Sequence, residues 1–135
     1  VIVNGDIGSL ADAKTALAES GAHGVMIGRA AMGQPWLAGA IAAGLAGTPF
    51  VAPDLAAQFE SLSEQIRDSV VLYGAPLGTR MVRKHVSAAI DALDIPVAPA
   101  RRRSLRAEMC QIADPHRLID SLETVYLKPQ LLEAA

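Results

Sequence analysis

Cysteine, aromatic residues and long apolar runs are all scarce in this chain of 135 residues. It has one Cys, one Trp, two Tyr and two Phe. A single Cys forms no internal disulfide, so nothing requires an oxidising compartment. The longest apolar run, residues 36–46, is interrupted by Gly39 and Gly44. A membrane span takes about 20 apolar residues, so none is expected. No signal peptide is visible, and a cytoplasmic location is expected. No group of His, Cys, Asp and Glu has metal-ligand spacing, so no metal is expected. The chain is also far too short for a whole (β/α)₈ barrel, which takes roughly 250 residues. Alanine is what the sequence has in excess, at 25 residues. Alanine favours helices and thin cores.

The chain opens on Val1-Ile2-Val3, a β-branched run that reads as the middle of a buried parallel strand. A piece of something longer is the expectation. Asn4-Gly5-Asp6 ends that strand with turn chemistry. Ser9 and Asp12 form a capping box, and Gly21 is a natural stop for the helix they open. A second apolar strand is expected over 24–28. A tight turn or short helix then covers 29–32, and a helix follows from Pro35 to about Gly44. Gly47-Thr48-Pro49 and Pro53 mark a linker.

After the linker the pattern is helical throughout. Asp54 caps a helix that turns Leu55, Phe59, Leu62, Ile66, Val70 and Tyr73 to one side and stops at Gly74. Further helices are expected over 78–93 and 101–113. Asp114-Pro115 opens a fourth, with Leu118, Ile119, Leu122, Val125 and Tyr126 inward. Four amphipathic helices with short connections suggest a small bundle.

Two strand ends carry unusual chemistry. Asn4, Gly5 and Asp6 follow the first strand, and Gly28 and Arg29 follow the second. Glycines let a backbone approach a phosphate closely enough for its N–H groups to donate. A helix start adds unpaired N–H groups and the positive end of a dipole. An arginine adds a charged fork. The plainer reading of each glycine is turn punctuation, and of Asp6 a helix-side cap. Asn4 could tie the loop or touch a ligand.

The basic residues are clustered. Seven of 12 fall between Arg80 and Arg106: Arg80, Arg83, Lys84, Arg101, Arg102, Arg103 and Arg106. Only Asp91 and Asp94 oppose them in that span. Arg80, Arg83 and Lys84 share a helix face, with His85 beside them. Such a patch is the footprint of nucleic-acid backbone binding. The plainer reading is a solvated face paired with Glu60, Glu64 and Asp68. Cys110 reads as a packed thiol rather than a nucleophile.

Three stretches together resemble the tRNA-dihydrouridine synthases, and most closely their bacterial B-type, nitrogen-regulation-like branch. They are Val1-Ile2-Val3-Asn4-Gly5-Asp6-Ile7, Gly28-Arg29-Ala30-Ala31-Met32-Gly33-Gln34-Pro35-Trp36 and Gly78-Thr79-Arg80-Met81-Val82-Arg83-Lys84-His85. The resemblance covers nearly the whole chain. It implies an oxidoreductase of tRNA processing, built from an FMN-binding TIM barrel and a helical domain. That enzyme reduces particular uridines in tRNA, with NADPH as the source of electrons. Asn4, Gly5, Asp6, Gly28 and Arg29 fall on the family's flavin-phosphate positions. Arg80, Arg83, Lys84 and His85 fall on the basic motif that faces tRNA.

The resemblance also marks a departure. The family's catalytic Cys lies upstream in the barrel, and Cys110 does not match its position. The expected architecture is therefore α/β plus all-α. Residues 1–47 would be the last two β/α units of a (β/α)₈ barrel, 48–53 a linker, and 54–135 a four-helix tRNA-binding domain. No catalytic residue is expected in this stretch, which would be inactive alone. Residues 1–47 are expected to associate with another copy or to be poorly ordered. Two alternatives stand beside this reading. One is a piece of another phosphate-binding barrel oxidoreductase, such as a dihydroorotate-dehydrogenase-like flavoprotein. The other is a non-catalytic helical RNA-binding module.

Overall fold

The structure is a computed structural model and describes residues 1–132. The last three residues assigned to the helical domain, 133–135, lie outside the described residues. The chain divides into two compact units, Val1–Ala52 and Pro53–Ala135.

The first unit contains two strands, β1 (Ile2–Asn4) and β2 (Gly24–Met26), paired in parallel. Parallel neighbours need a crossover, and helix α1 (Leu10–Ser20) supplies it. Its start is built as the capping pattern demands. The Asp12 N–H donates to Ser9 Oγ at 3.1 Å, and the Gly8 N–H donates to Asp12 Oδ2 at 3.1 Å. Gly21 ends the helix with φ 64°, in the left-handed region. A single 3₁₀ turn over Arg29–Ala31 follows β2, and then helix α2 (Leu37–Ala46).

Three details differ from expectation. Pro35 lies ahead of α2 rather than in its first turn. Gly44 does not end that helix; Gly47, at φ 68°, does. Gly44 is small for another reason: a Cβ there would stand 2.6 Å from Leu10 Cδ2, where α1 crosses. The opening strand is also not buried. Val1 is 87% exposed and Ile2 64%. A two-stranded sheet has two faces, and only one is covered here. Val25 and Ile27 pack on a small core of Ile7, Ala13 and Ile41. Ile2, Asn4 and Met26 are exposed. Strand alternation accounts for the split.

The segment between the units has no regular structure over 48–54. Phe50 folds back near Gly39 of α2, where an added Cβ would lie 3.7 Å from its ring. This contact accounts for residues up to Ala52 grouping with the first unit.

The second unit contains α3 (Leu55–Tyr73), α4 (Ala75–Ala92), α5 (Pro99–Gln111) and α6 (Pro115–Leu127). They share one core that includes Leu62, Ile66, Val86, Ile90, Leu105 and Leu122. Asp54 and Asp114 cap α3 and α6 through the N–H groups of Ala57 and Arg117, at 2.8 Å each. The helices expected at 78 and 101 start earlier, at Ala75 and Pro99. Proline has no N–H to lose in a first turn, so Pro76 and Pro99 begin helices rather than break them. Tyr73, expected inward, is 47% exposed because α3 ends there. Gly78 permits the crossing of α3 and α4. A Cβ at Gly78 would lie 2.5 Å from the Ser69 carbonyl oxygen.

Candidate functional site

In the first unit the two strand ends form one cleft. Asn4, Gly5, Asp6, Met26, Gly28 and Arg29 line a cavity of about 350 Å³. Parallel pairing explains the assembly. The register sets Asn4 opposite Met26, so the loops that follow leave the sheet side by side. The five residues singled out from sequence are thus neighbours. Met26 joins them and was not anticipated, since it read as interior strand. Its position at the strand's last paired residue was the signal available.

The cleft has the chemistry of an anion cradle. A Cβ on Gly5 or Gly28 would meet nothing within 4 Å, so packing does not require glycine at either position. What glycine does there is leave the backbone uncovered. Among the described residues, the amides of Gly5, Asp6, Gly28, Arg29 and Ala30 donate none of the loop or cap hydrogen bonds. Unspent donors in an open cleft suit an anionic oxygen.

Asp6 is not a helix cap, because Ser9 and Asp12 fill that role. Its Oδ1 accepts from Arg29 Nη2 at 2.7 Å. Both side chains are largely exposed, 81% for Arg29 and 88% for Asp6. An ion pair that exposed contributes little to stability. It does hold the guanidinium at the cleft, with most of its donors uncommitted.

In the second unit, Arg80 and Lys84 are exposed on α4 and Arg83 is half-buried. None of the three forms an ion pair among the described residues, with Glu60, Glu64, Asp68 or any other acid. His85 is half-buried. Desolvation, reinforced by the Lys84 charge, holds its imidazole below the usual histidine range. It is therefore neutral where the neighbouring cations are charged.

The arginines of α5 correct the picture of one continuous basic patch. Arg102 donates to three carbonyls, Ile90 at 2.6 Å, Leu93 at 2.7 Å and Ile95 at 3.2 Å. It caps the open end of α4. Arg101 pairs with Glu108 at 2.6 Å, and Arg106 with Asp91 at 2.6 Å. Only Arg103, on α5, is both exposed and unpaired among the described residues. Cys110 is half-buried, and its Sγ lies 3.8 Å from the Arg83 carbonyl oxygen. No group of three or more potential metal ligands occurs among the described residues. No helix among them is long and apolar enough to cross a membrane.

Residues 1–130 match the sequence profile of dihydrouridine synthase (Dus). The chain belongs to the dihydrouridine synthase family. It is 40% identical over 116 residues to a probable tRNA-dihydrouridine synthase of Rhodobacter capsulatus. That match covers 85% of this chain and 33% of the relative. It is 44% identical over 87 residues to tRNA-dihydrouridine synthase B of Xanthomonas axonopodis pv. citri, covering 64% of this chain and 26% of the relative. A probable tRNA-dihydrouridine synthase of Rickettsia conorii is 42% identical over 87 residues, with shares of 64% and 26%. The chain thus spans between a quarter and a third of the length of these dihydrouridine synthases. The family match includes both units, so a different phosphate-binding barrel enzyme is set aside.

Proposed function

We propose that this chain is the phosphate corner of a flavin site joined to an RNA-binding helical domain. Both would belong to an FMN-dependent tRNA-dihydrouridine synthase that draws electrons from NADPH. The observation that carries the reading is the convergence of Asn4, Gly5, Asp6, Gly28 and Arg29 on one cleft with unspent amides. The residues fit the phosphate end of FMN. Backbone amides at Gly5, Gly28 and Arg29 would donate to phosphate oxygens, and the Arg29 guanidinium would add charge-assisted bonds. Asp6 would keep that guanidinium in place. When bound, the flavin supplies the reducing equivalents for the uracil ring.

The exposed sheet face, with Ile2, Asn4 and Met26, is what a strand pair from a closed barrel presents to the barrel interior. The residues that protonate uracil and surround the flavin ring are not expected among these 135. The chain alone would then be inactive and would hold FMN only weakly. A fluorescence titration checks this. Binding should be weaker than micromolar, and an affinity of about 1 μM or tighter overturns the reading of an isolated phosphate corner. Residues 1–47 would also self-associate through their open strands, which light scattering across a concentration series would detect. A monomer at every concentration refutes that part.

On the second unit, Arg80, Arg83 and Lys84 would contact tRNA phosphates, with His85 contributing as a neutral group. Gel shifts with a tRNA transcript at several salt concentrations test this. Binding should weaken as salt rises and should drop on Arg83→Ala with Lys84→Ala. Salt-insensitive binding, or no loss in the variant, refutes it.

A further inference from the structure

Two arginine nitrogens are out of place energetically. Nε of Arg83 on α4 and Nε of Arg106 on α5 are buried and have no hydrogen-bond partner among the described residues. A buried N–H with no acceptor is unfavourable, so native structures rarely keep one without a reason. Both groups lie along the same seam. Cys110 Sγ stands 3.8 Å from the Arg83 carbonyl oxygen, which sets that turn of α4 against the turn of α5 at Cys110. Arg106 is one turn before Cys110. Its Nη1 meets Asp91 Oδ2 at 2.6 Å, and Asp91 is two turns beyond Arg83.

We infer that the seam between α4 and α5 is a second phosphate-binding track for an RNA backbone, anchored by Arg83 and Arg106. The inference rests on the RNA reading above and extends it from α4 onto α5. Arg83 has no acidic partner, and Arg106 commits only one nitrogen to Asp91. Both side chains are half-buried rather than sealed, so their outer nitrogens can turn onto an anion. Such a turn would also give each orphaned Nε an acceptor. Arg103, exposed one turn before Arg106, and Arg80 and Lys84, exposed beside Arg83, continue the charge on either side.

The spacing favours a polymer over a small anion. Arg83 and Asp91 are separated by eight residues, or about 12 Å along the helix axis. A single phosphate does not bridge that length, whereas successive phosphates of one strand do. No Phe, Tyr or Trp occurs between Gly74 and Val125. The seam has no platform for stacking bases, so the backbone is the part it fits. Arg101 and Arg102 are excluded from the track, since Glu108 and the end of α4 occupy them.

The test uses the 135-residue chain and an unmodified tRNA transcript, with dissociation constants measured between about 50 and 200 mM salt. Arg106→Gln should lower the salt slope by about 1. Asp91→Asn should do the opposite, binding more tightly and with a steeper slope, because it frees Arg106 and removes a repelling carboxylate. Opposite signs from the two members of one ion pair are the signature. An ion pair that only holds the helices together would weaken binding in both variants. Unchanged slopes in both, with a reduced slope in Arg80→Gln with Lys84→Gln, overturn the seam and leave the RNA reading intact. A wild-type chain without salt-dependent binding overturns both. Should Arg106→Gln fail to fold, Asp91→Asn decides alone: tighter binding supports the track, and unchanged or weaker binding refutes it.

Discussion

The two units contain similar helices but very different cores. In Val1–Ala52 the buried apolar cluster is Ile7, Ala13 and Ile41. In Pro53–Ala135 it holds fifteen residues, from Leu62 to Leu132. The difference follows from architecture. A helix bundle closes on itself, since each helix offers its apolar stripe to the others. A pair of parallel strands offers two faces and two edges, and α1 and α2 cover only part of them. The first unit therefore exposes Val1, Ile2 and Met26, whereas the second exposes large apolar groups mainly around the α3–α4 turn, such as Val71 and Leu72.

The strongest way to break this contrast is to damage each core in turn. Leu122 is fully buried, and Leu122→Ala should destabilise the second unit by about 2–5 kcal/mol. Urea unfolding followed by circular dichroism would show the main helical transition moving to lower denaturant. Ile41→Ala, a deletion of the same kind, should leave that transition in place. A common shift in both variants would show that the two units unfold as one, contrary to their separate cores.

A smaller effect is expected at Arg102. Arg102→Gln removes a cation from the carbonyls at the end of α4 and should reduce stability by about 2 kcal/mol. Its salt-dependent RNA affinity should be unchanged in the folded protein. A loss of salt slope would return Arg102 to the RNA surface. The contrast with Arg106, of the same helix and the same residue type, sharpens the division between structural and ligand-facing arginines.

The smallest effects are in pH. The Ser9 hydroxyl and then the Gly8 N–H hold the Asp12 carboxyl below the usual carboxylate range. A group depressed in the folded state stabilises it above its unfolded pKa, and that contribution is lost as pH falls through the folded value. Amide exchange in α1 should therefore accelerate under acid, and Asp12→Asn should flatten that response. For His85 the folded imidazole is also depressed, so charging it opposes folding as pH falls below the ordinary histidine range. RNA affinity should gain nothing from His85 between about pH 8 and 6.5. A His85→Gln variant with the same affinity over that window would agree; a selective loss on His85→Gln near pH 6.5 would not.

Much of the local structure was legible because its causes are local. Ser9, Asp54 and Asp114 each accept from an N–H three residues on, so their spacing alone marks a helix start. Gly21 needed only its position after a helix. Where local signs misled, a longer-range contact was responsible. Gly44 read as a stop and proved to be a clearance for Leu10, 34 positions away in sequence. Val1 and Ile2 read as buried because the pattern assumes that a sheet is covered on both faces.

The sequence by itself determined which residues form helices, where most of them are capped, and that glycine and arginine stand at both strand ends. Those properties depend on neighbours within a few positions. Only the tertiary structure decided that Asn4, Gly5, Asp6, Gly28 and Arg29 share one cleft, because parallel pairing of β1 with β2 sets their loops side by side. It also decided which cations are available. Arg101, Arg102, Arg103 and Arg106 are near-identical in sequence context, yet Glu108, the end of α4, solvent and Asp91 claim them in turn. An arginine's task is set by what its long side chain reaches, and on a packed helix that lies largely on other elements.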